Sequence, residues 1–232
     1  VVVFDTAFHQ TMPPKAYMFG MPYECYEQFH VRKYGFHGTS HRFVSMKYGE
    51  VTGKSLEGLN IVSCHLGNGS SITAIKDGKS VDTSMGFTPL DGIIMGTRSG
   101  SVDPSAVEFV QNKLGFTPAQ MSDYLNKKSG FLGLSGQFSD NRDITSAAQQ
   151  GDKRSQLVTD MLTYEIKKYI GSYTAAMNGL DVVIFTGGIG ENAPEVRKGV
   201  CENMEYLGIK LDNSVNDGLK GKLTKISAPD SK

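Results

Sequence analysis

The chain has 232 residues, 39% of them hydrophobic and 21% charged, which is typical of a folded domain and excludes a disordered or fibrous chain. It carries 24 basic and 24 acidic residues, so no overall positive field is available to hold nucleic acid or an anionic membrane. Cys25, Cys64 and Cys201 are widely spaced, which favours reduced thiols over a disulfide framework or a zinc site. Without a long apolar run or a signal peptide, we expect a soluble, cytoplasmic protein.

The two ends of the sequence suggest an excised piece of a longer protein. Residues 1–5, VVVFD, predict a buried strand that starts without an initiator methionine, and the final SAPDSK stops without a closing element. Asp5 directly follows this predicted strand. A carboxylate there either caps the next turn or holds a divalent metal through water, which Mg²⁺ prefers when it has few protein ligands.

Residues 37–53 predict a helix with Phe43, Val44 and Tyr48 on one side. His37 and His41 lie four residues apart, a metal-ligand spacing on a helix, but neither the glutamate of a zinc motif nor a third ligand is nearby. His37 stands at the junction of loop and helix, where it is better placed to donate a hydrogen bond to an anion. We expect His41 to pack.

Three strands follow in a meander, over 61–66, 71–76 and 80–83. The turn between the first two, GNGSS at 67–71, can place several backbone N–H groups around one point, which suits an anion and above all a phosphate. The alternative is a hairpin turn that only reverses the chain. The turn alone does not decide between them.

A long glycine-rich loop, 84–102, separates the strands from the next helix, and a loop of this length in a compact domain is usually functional. Its only arginine, Arg98, either reaches a transferring phosphoryl group or forms a surface salt bridge. Asp103 and Pro104 then open a helix that ends at Gly115, with Val107, Val110 and Leu114 as its apolar face. Thr117 and Pro118 repeat the same opening.

The second half of the chain contains the strongest helix, from about Ser155 to Asn178. Its apolar residues recur at spacings of three and four, and Gly179 is predicted to terminate it. These apolar residues are Leu157, Met161, Leu162, Ile166, Tyr169, Ile170, Tyr173 and Met177. Before this helix, Asp140 and Arg142 precede a shorter one, where a helix cap with a surface ion pair is as well supported as a ligand role.

The sequence DVVIFTGGIGEN, 181–192, predicts an apolar strand, a glycine-rich turn and a helix that opens near Pro194. This arrangement exposes bare backbone at the carboxyl end of a strand, where α/β folds bind nucleotides, although it is neither a GxGxxG fingerprint nor a Walker loop. Two glycine-rich loops suit a nucleotide held from different strands. The predicted fold is α/β, with strands near 1–5, 61–83 and 182–186 in one mixed sheet flanked by helices.

Five stretches together resemble the acetokinase family, within the actin, sugar kinase and Hsp70-like group. They are VFDTAFHQTMP (3–13), YGFHGTSH (34–41), HLGNGSS (65–71), MGFTPLDGIIMGTRSG (85–100) and FTGGIGEN (185–192). Their order and spacing fit, and the resemblance covers essentially the whole chain. It implies a ribonuclease H-like, actin-like ATPase domain and reversible phosphoryl transfer between ATP and acetate, giving ADP and acetyl phosphate, with Mg²⁺.

The resemblance also implies roles for individual positions. Asp5 matches the metal-associated carboxylate, His37 the histidine that stabilises the transferring phosphoryl group, and Arg98 the catalytic arginine. The remaining positions are His65, Asn68 and Gly69 in the phosphate loop, Asp140, Asn141, Arg142, Gly188, Ile189 and Asn192 in the nucleotide pocket, and Phe36 and Pro89 as walls of the acetate pocket. Family members usually carry an aromatic residue where Asn141 stands, which leaves adenine stacking there open.

The resemblance further implies that residues 1–232 form the second, nucleotide-binding lobe, without the first lobe and the C-terminal segment. Alone, this lobe is expected to show little or no turnover. A homodimer is expected, with the aromatic-rich segment 17–36 as its candidate surface. The alternatives are a propionate or butyrate kinase, a nucleotide-binding module without catalysis, and a structural or interaction protein that would need neither His37 nor Arg98.

Overall fold

A four-stranded mixed sheet with the strand order β3-β2-β1-β4 organises the fold. The computed structural model describes residues 1–219 and 221–232. The strands are β1 (Asn60–Leu66), β2 (Ser70–Lys76), β3 (Lys79–Thr83) and β4 (Val182–Thr186). β2 pairs antiparallel with both β1 and β3, whereas β4 runs parallel to β1. The predicted meander and the mixed sheet are confirmed, with strand bounds within one residue.

Helices cover the sheet and fill the connections between strands. In chain order they are α1 (Pro14–Tyr17), α2 (Tyr23–Phe29), α3 (Gly38–Thr52), α4 (Pro104–Leu114), α5 (Pro118–Lys127), α6 (Gly130–Ser135), α7 (Asn141–Gln149), α8 (Lys153–Met177), α9 (Gly187–Asn192), α10 (Pro194–Cys201) and α11 (Asn213–Asn216). Short 3-10 helices occupy Ala7–Thr11 and Glu205–Leu207. No helix in the described part of the chain is both long and apolar enough to cross a membrane.

The apolar core lies between one face of the sheet and α8. Alternate residues of β1 and β2 enter it together with the buried side of α8, as strand and helix periodicity require. From the sheet these are Val62, Cys64, Leu66, Ile72 and Ala74, and from α8 they are Val158, Leu162, Ile166, Ile170, Tyr173 and Met177. The predicted helix is therefore confirmed. Leu157, however, is 51% exposed. At the helix end, Asn178 adopts the left-handed conformation with φ 60°, and Gly179 follows it with φ 145°.

The opposite face of the sheet is covered by α3 and by the 3-10 helix Ala7–Thr11. Here the alternate strand positions are polar: Ser63, Ser71 and Thr73 are fully buried. The buried side of α3 is correspondingly formed by Gly38, His41 and Ser45. The predicted apolar side of this helix is wrong, because Phe43 faces outward and is 63% exposed. The side of α3 that packs on the sheet is polar because the sheet positions it contacts are polar.

The chain start does not form the predicted strand. Residues 1–4 pair with no strand in the described chain, and their side chains are exposed. Asp5 is accordingly not at a strand end. Hydrophobic composition predicts burial only where a surface is available to cover the segment, and none of the described residues covers this one.

Two further segments differ from the sequence expectation. α4 begins and ends as predicted, with Asp103 accepting a hydrogen bond from the Ser105 N–H, but none of its residues is buried. The predicted glycine-rich turn after β4 is instead α9, which starts at Gly187 immediately after the strand. Gly187 has φ 79°, and a Cβ there would lie 2.6 Å from the Leu66 carbonyl oxygen, so the reversal requires glycine.

Candidate active site

The two glycine-rich segments meet at one edge of the sheet. β1 and β4 are parallel neighbours in which His65 pairs with Thr186, so both strands present their carboxyl ends at the same place. The 67–70 turn follows β1, and α9 follows β4 with Gly187 packed on Leu66. In α/β sheets this edge is where ligands bind, because loops and helix N-termini converge there. The two glycine-rich segments that the sequence singled out therefore lie next to each other.

Asp5 is attached to the start of α3. Its Oδ2 accepts a hydrogen bond of 2.8 Å from the His37 N–H, and its carbonyl oxygen accepts one of 2.8 Å from the Gly38 N–H. The carboxylate therefore binds the N–H at the start of α3 and does not cap the turn that follows Asp5, which was the alternative to a metal role in the sequence. Its Oδ1 has no hydrogen-bond partner among the described residues, so the exposed carboxylate also fits a water-mediated contact to Mg²⁺. Within residues 1–219 and 221–232, no group of three or more His, Cys, Asp or Glu side chains is arranged to hold a metal directly.

His37 and Arg98 converge over Gly69. The position that a Cβ of Gly69 would occupy lies 3.1 Å from Arg98 Nη2 and 3.4 Å from His37 Nε2. Glycine at this position leaves that space open to a ligand, with a guanidinium and an imidazole directed at it. Arg98 Nη1 donates a 2.8 Å hydrogen bond to the Pro89 carbonyl, which fixes the orientation of the guanidinium. Arg98 forms no ion pair within the described chain, so the surface salt bridge is not what holds it.

The two groups differ in charge near neutral pH. Burial lowers the pKa of His37 to about 4, and the neighbouring His65 ring, stacked 4.2 Å away between centroids, contributes in the same direction. Burial also lowers the pKa of Arg98, which remains a cation. The site therefore combines a neutral hydrogen-bonding imidazole with one fixed positive charge.

The other two histidines of this region hold the sheet face together. His41 is fully buried, as predicted, and its two ring nitrogens hydrogen-bond with Ser63 Oγ at 2.9 Å and Ser71 Oγ at 2.7 Å. His65 Nδ1 hydrogen-bonds with Ser40 Oγ at 2.8 Å, and burial lowers the pKa of His65. His65 is thus anchored beside His37 rather than directed freely into solvent.

Asn68 connects the turn after β1 to the rest of the site. Its side chain lies against Gly96 of the long loop, where any Cβ would overlap both Asn68 Oδ1 and the Ser139 carbonyl oxygen. Gly96, in the loop that carries Arg98, therefore lies against both the 67–70 turn and the segment that enters α7.

Asp140, Asn141 and Arg142 form the start of α7. Asp140 is the N-cap, accepting 2.8 Å from the Arg142 N–H, and it pairs with Arg142 Nη2 at 2.6 Å on an exposed surface. These hydrogen bonds lower the pKa of Asp140 to about 2. The cap and ion pair considered from the sequence are both present. Asn141 is buried, with its Nδ2 directed at Thr145 Oγ1 of the same helix.

The remaining predicted residues surround these groups. In α9, Gly188 is exposed, Ile189 packs on the margin of the apolar core, and Asn192 Nδ2 donates 3.0 Å to the Gly188 carbonyl. Phe36 is half-buried next to His37, and Pro89 is exposed beside Arg98. A groove of about 490 Å³ between α7, α8 and α10 is lined by none of the predicted residues.

Arg197 is a residue that sequence reasoning missed. It is fully buried, donates 2.9 Å from Nη1 to the Gly190 carbonyl of α9, and donates from Nε and Nη2 to Asn216 of α11. The only available signal was a cation between the apolar residues Val196 and Val200. Arg197 therefore fixes the position of α9 from its buried side.

The fold is an α/β domain of the actin-like ATPase type, with a polar site at the strand ends. The sequence matches the Acetokinase family over residues 1–232, and the chain belongs to that family. Curated relatives include the acetate kinases of Carboxydothermus hydrogenoformans, 57% identical over 232 residues, and Thermotoga maritima, 56% identical over 234 residues. Each alignment covers 100% of this chain and 58% of the relative.

Solved structures of the same family resemble the chain closely. The structure of Porphyromonas gingivalis acetate kinase is 50% identical in sequence with a TM-score of 0.97, and the match covers 99% of this chain and 57% of that protein's chain. A propionate kinase from Francisella tularensis is 42% identical with a TM-score of 0.92, covering 99% of this chain and 58% of its own. The chain thus spans somewhat more than half the length of the relatives it matches.

Proposed function

We propose that the full-length protein carrying this chain transfers a phosphoryl group reversibly between ATP and acetate, producing ADP and acetyl phosphate. The observation that carries this proposal is the convergence of Arg98 and His37 over Gly69, at the edge where the two glycine-rich segments meet. Phosphoryl transfer requires little covalent chemistry from the protein. It depends on positioning and on positive charge near the phosphoryl oxygens, and this site offers both.

In this mechanism the residues of the chain have different roles according to their charge. Arg98 stabilises the negative charge on the transferring group, since a guanidinium fork matches the geometry of phosphoryl oxygens. Neutral His37 donates a hydrogen bond to the same group. Asp5 is the residue that would hold Mg²⁺ through water, and the ion supplies further positive charge to the phosphate oxygens when bound.

The nucleotide is assigned to the surfaces on either side of the turn after β1. His65, Asn68 and Gly69 would contact phosphates, while Asp140, Asn141, Arg142, Gly188, Ile189 and Asn192 would form the nucleoside side of the pocket. Support comes from Gly96, which lies against both the Asn68 side chain and the Ser139 carbonyl, so that the start of α7 is near the turn. Phe36 and Pro89, adjacent to His37 and Arg98 respectively, would flank the carboxylate substrate.

The acyl chain length is tested by an acyl-phosphate assay of the full-length protein with acetate, propionate and butyrate side by side. The likeness to the Francisella propionate kinase makes propionate the second candidate. One methylene changes specificity by only about 1–3 kcal/mol, so all three rates are needed. We expect the highest kcat/KM with acetate. ATP binding without turnover on any of the three would instead support a non-catalytic nucleotide-binding module.

We further propose that residues 1–232 are the second lobe of the enzyme. This is supported by the share of each relative that the chain covers, 58%. The isolated chain should bind ATP weakly and turn over little or no substrate, because half of the cleft would be missing. Calorimetry on a folded sample that gave no heat with ATP and Mg²⁺ would contradict the nucleotide assignment of α9.

A homodimer is proposed on the basis of apolar side chains exposed on the segment 17–36. Met21, Tyr23 and Phe29 are each more than half exposed, beyond what the single core uses. Light scattering of the full-length protein should give twice the protomer mass. We also propose a cytoplasmic location, which the three free cysteines support because such thiols persist in reducing compartments.

A further inference from the structure

A continuous chain of buried hydrogen bonds runs beneath the site and ends at His37. Ser63 Oγ lies 2.9 Å from His41 Nδ1, His41 Nε2 lies 2.7 Å from Ser71 Oγ, and Ser71 Oγ lies 2.9 Å from His37 Nδ1. Ser63, His41 and Ser71 are all fully buried, so water does not compete for these groups. The remaining ring nitrogen of His37, Nε2, faces the space over Gly69.

The single proton of the Ser71 hydroxyl links the two imidazoles. Each ring is neutral near pH 7, because burial lowers both pKa values, and therefore carries one N–H. Ser71 Oγ has no third side-chain partner in the described chain, so it donates to one ring and accepts from the other. Consequently His37 and His41 carry their hydrogens on the same atom type: both on Nε2, or both on Nδ1.

Ser63 selects between these two states in the free protein: its buried hydroxyl has no partner in the described chain except His41 Nδ1, so it can donate its hydrogen only when both rings carry theirs on Nε2. An anion in the site favours the same state. An anionic group over Gly69 accepts hydrogen bonds, and it would be repelled by a lone pair on His37 Nε2. With the hydrogen on Nε2, His37 donates to the anion and its Nδ1 accepts from Ser71. Ser71 then accepts from His41, which in turn accepts from Ser63.

We propose that Ser71 and His41 are positioning residues that hold His37 with its hydrogen on Nε2, directed at the transferring phosphoryl group. This inference rests on the proposed function, in which His37 donates to that group. It assigns a purpose to a buried serine and histidine that do not touch the substrate themselves. Partners of this kind, one step behind a reacting group, commonly change activity by about 10–100-fold.

His9 provides a matched comparison on the same sheet face. Its Nε2 lies 2.8 Å from the Phe36 carbonyl, which can only accept, so His9 carries its hydrogen on Nε2 without help from a serine. Its Nδ1 hydrogen-bonds with Ser80 Oγ at 2.8 Å, and Ser80 is as fully buried as Ser71. Ser80→Ala therefore removes an equivalent serine-histidine bond that is not connected to His37.

The test uses the full-length protein labelled with ¹⁵N-histidine and free of substrate, because nitrogen NMR distinguishes the two neutral tautomers directly. In the natural protein, His37 and His41 should both carry hydrogen on Nε2. Ser71→Ala should convert His37 to a mixture of tautomers, while Ser80→Ala leaves it unchanged. Ser71→Ala should also lower kcat about 10–100-fold with KM for ATP within about twofold, and Ser71→Thr should restore both the tautomer and most of kcat.

A His37 hydrogen on Nδ1 in the natural protein, or an unchanged tautomer in Ser71→Ala, would overturn the proposal. A changed tautomer with unchanged kcat would support the hydrogen-bond chain and refute the role of His37 in the proposed function. If Ser71→Ala does not fold, Ser63→Ala tests the far end of the chain. It should release the tautomers of both His41 and His37, and a fixed Nε2 hydrogen on both would refute the linkage.

Discussion

The two faces of the sheet are both largely buried but differ in chemistry near the site. Toward α8, the strands present Val62, Cys64, Leu66, Ile72 and Ala74; toward α3, they present Ser63, His65, Ser71 and Thr73, with the apolar pair Ile61 and Ile75 at the far end. On the first face, burial is favourable whatever the direction of the side chains, because apolar contact is not directional. On the second, each buried hydroxyl or imidazole must find a partner, because an unpaired one costs about 1–3 kcal/mol.

The polar face accordingly has specific pairings. Thr73 Oγ1 hydrogen-bonds with Thr83 Oγ1 at 2.8 Å, and the Ser84 hydroxyl accepts from the Ile72 N–H at 2.9 Å. Such pairings tolerate few substitutions, yet they fix side chains in a way that an apolar surface does not. The apolar face therefore contributes mainly stability, and the polar face fixes the positions of side chains at the site. Four measurements can test this division.

The largest effect is expected on the apolar face. Leu162→Ala should lower the free energy of unfolding by about 2–5 kcal/mol, because it leaves a cavity in the core. Leu157→Ala, five residues earlier and 51% exposed, should change it by no more than about 0.5 kcal/mol. Chemical denaturation of the full-length protein measures both. Equal losses in the two variants would mean that α8 is not packed as described.

Arg98→Ala should lower kcat by roughly 10²-fold or more while changing ATP affinity much less, since Arg98 lies outside the turn after β1 and outside α9, the two segments proposed to hold the nucleotide. Arg98→Lys keeps the positive charge but not the planar guanidinium, so its kcat should lie between those of the natural protein and of Arg98→Ala. Steady-state kinetics and calorimetry separate kcat from affinity. A variant that kept kcat and lost only ATP affinity would make Arg98 a ligand of the resting nucleotide.

Thr73→Val tests the polar face away from the site. It removes the hydrogen bond between the two hydroxyls, while Thr83 Oγ1 keeps its longer bond of 3.3 Å to the Ile72 carbonyl, and should cost about 0.5–1.5 kcal/mol of unfolding free energy. The double variant Thr73→Val with Thr83→Val removes both hydroxyls and should cost less than the sum of the single changes. Additive losses, measured in the same denaturation experiment, would show that the two hydroxyls do not stabilise one another.

The smallest expected effect is a pH dependence of stability. Burial holds the pKa of His41 well below its ordinary value of 6.5. As the pH falls below that value, the unfolded chain binds a proton that the folded chain does not, so the free energy of unfolding decreases. The unfolding midpoint should therefore fall between roughly pH 7.5 and 5.5, and less steeply in His41→Asn.

The sequence predicted the elements whose signals are local. Asp103 and Thr117 start α4 and α5 as N-caps, and the latter completes a capping box with Gln120. The apolar spacing identified α8, and alternation identified the meander. The adjacency of the two glycine-rich segments was not predicted, because only the structure shows that β1 and β4 are parallel neighbours, whose carboxyl ends lie at the same edge.

Features that depend on distant partners were not predictable in this way. Serines at alternate positions of β1 and β2 carry no signal of their own, and only the packing of α3 shows that Ser63 and Ser71 bind His41. Whether Phe43 lies inside or outside depends on the chemistry of the face opposite. The strand expected at 1–4 failed for the same reason, since its composition said nothing about what would cover it.

Arg197 has a further consequence, for the rate at which parts of the molecule open. Its guanidinium donates one hydrogen bond to Gly190 in α9 and two to Asn216 in α11, so separating either helix from Arg197 breaks buried hydrogen bonds of the same side chain. Segments joined in this way exchange their amide hydrogens as one cooperative unit instead of fraying singly. The free energy needed to open α9, a short helix with few side chains, is thereby raised toward that of the segments to which Arg197 joins it.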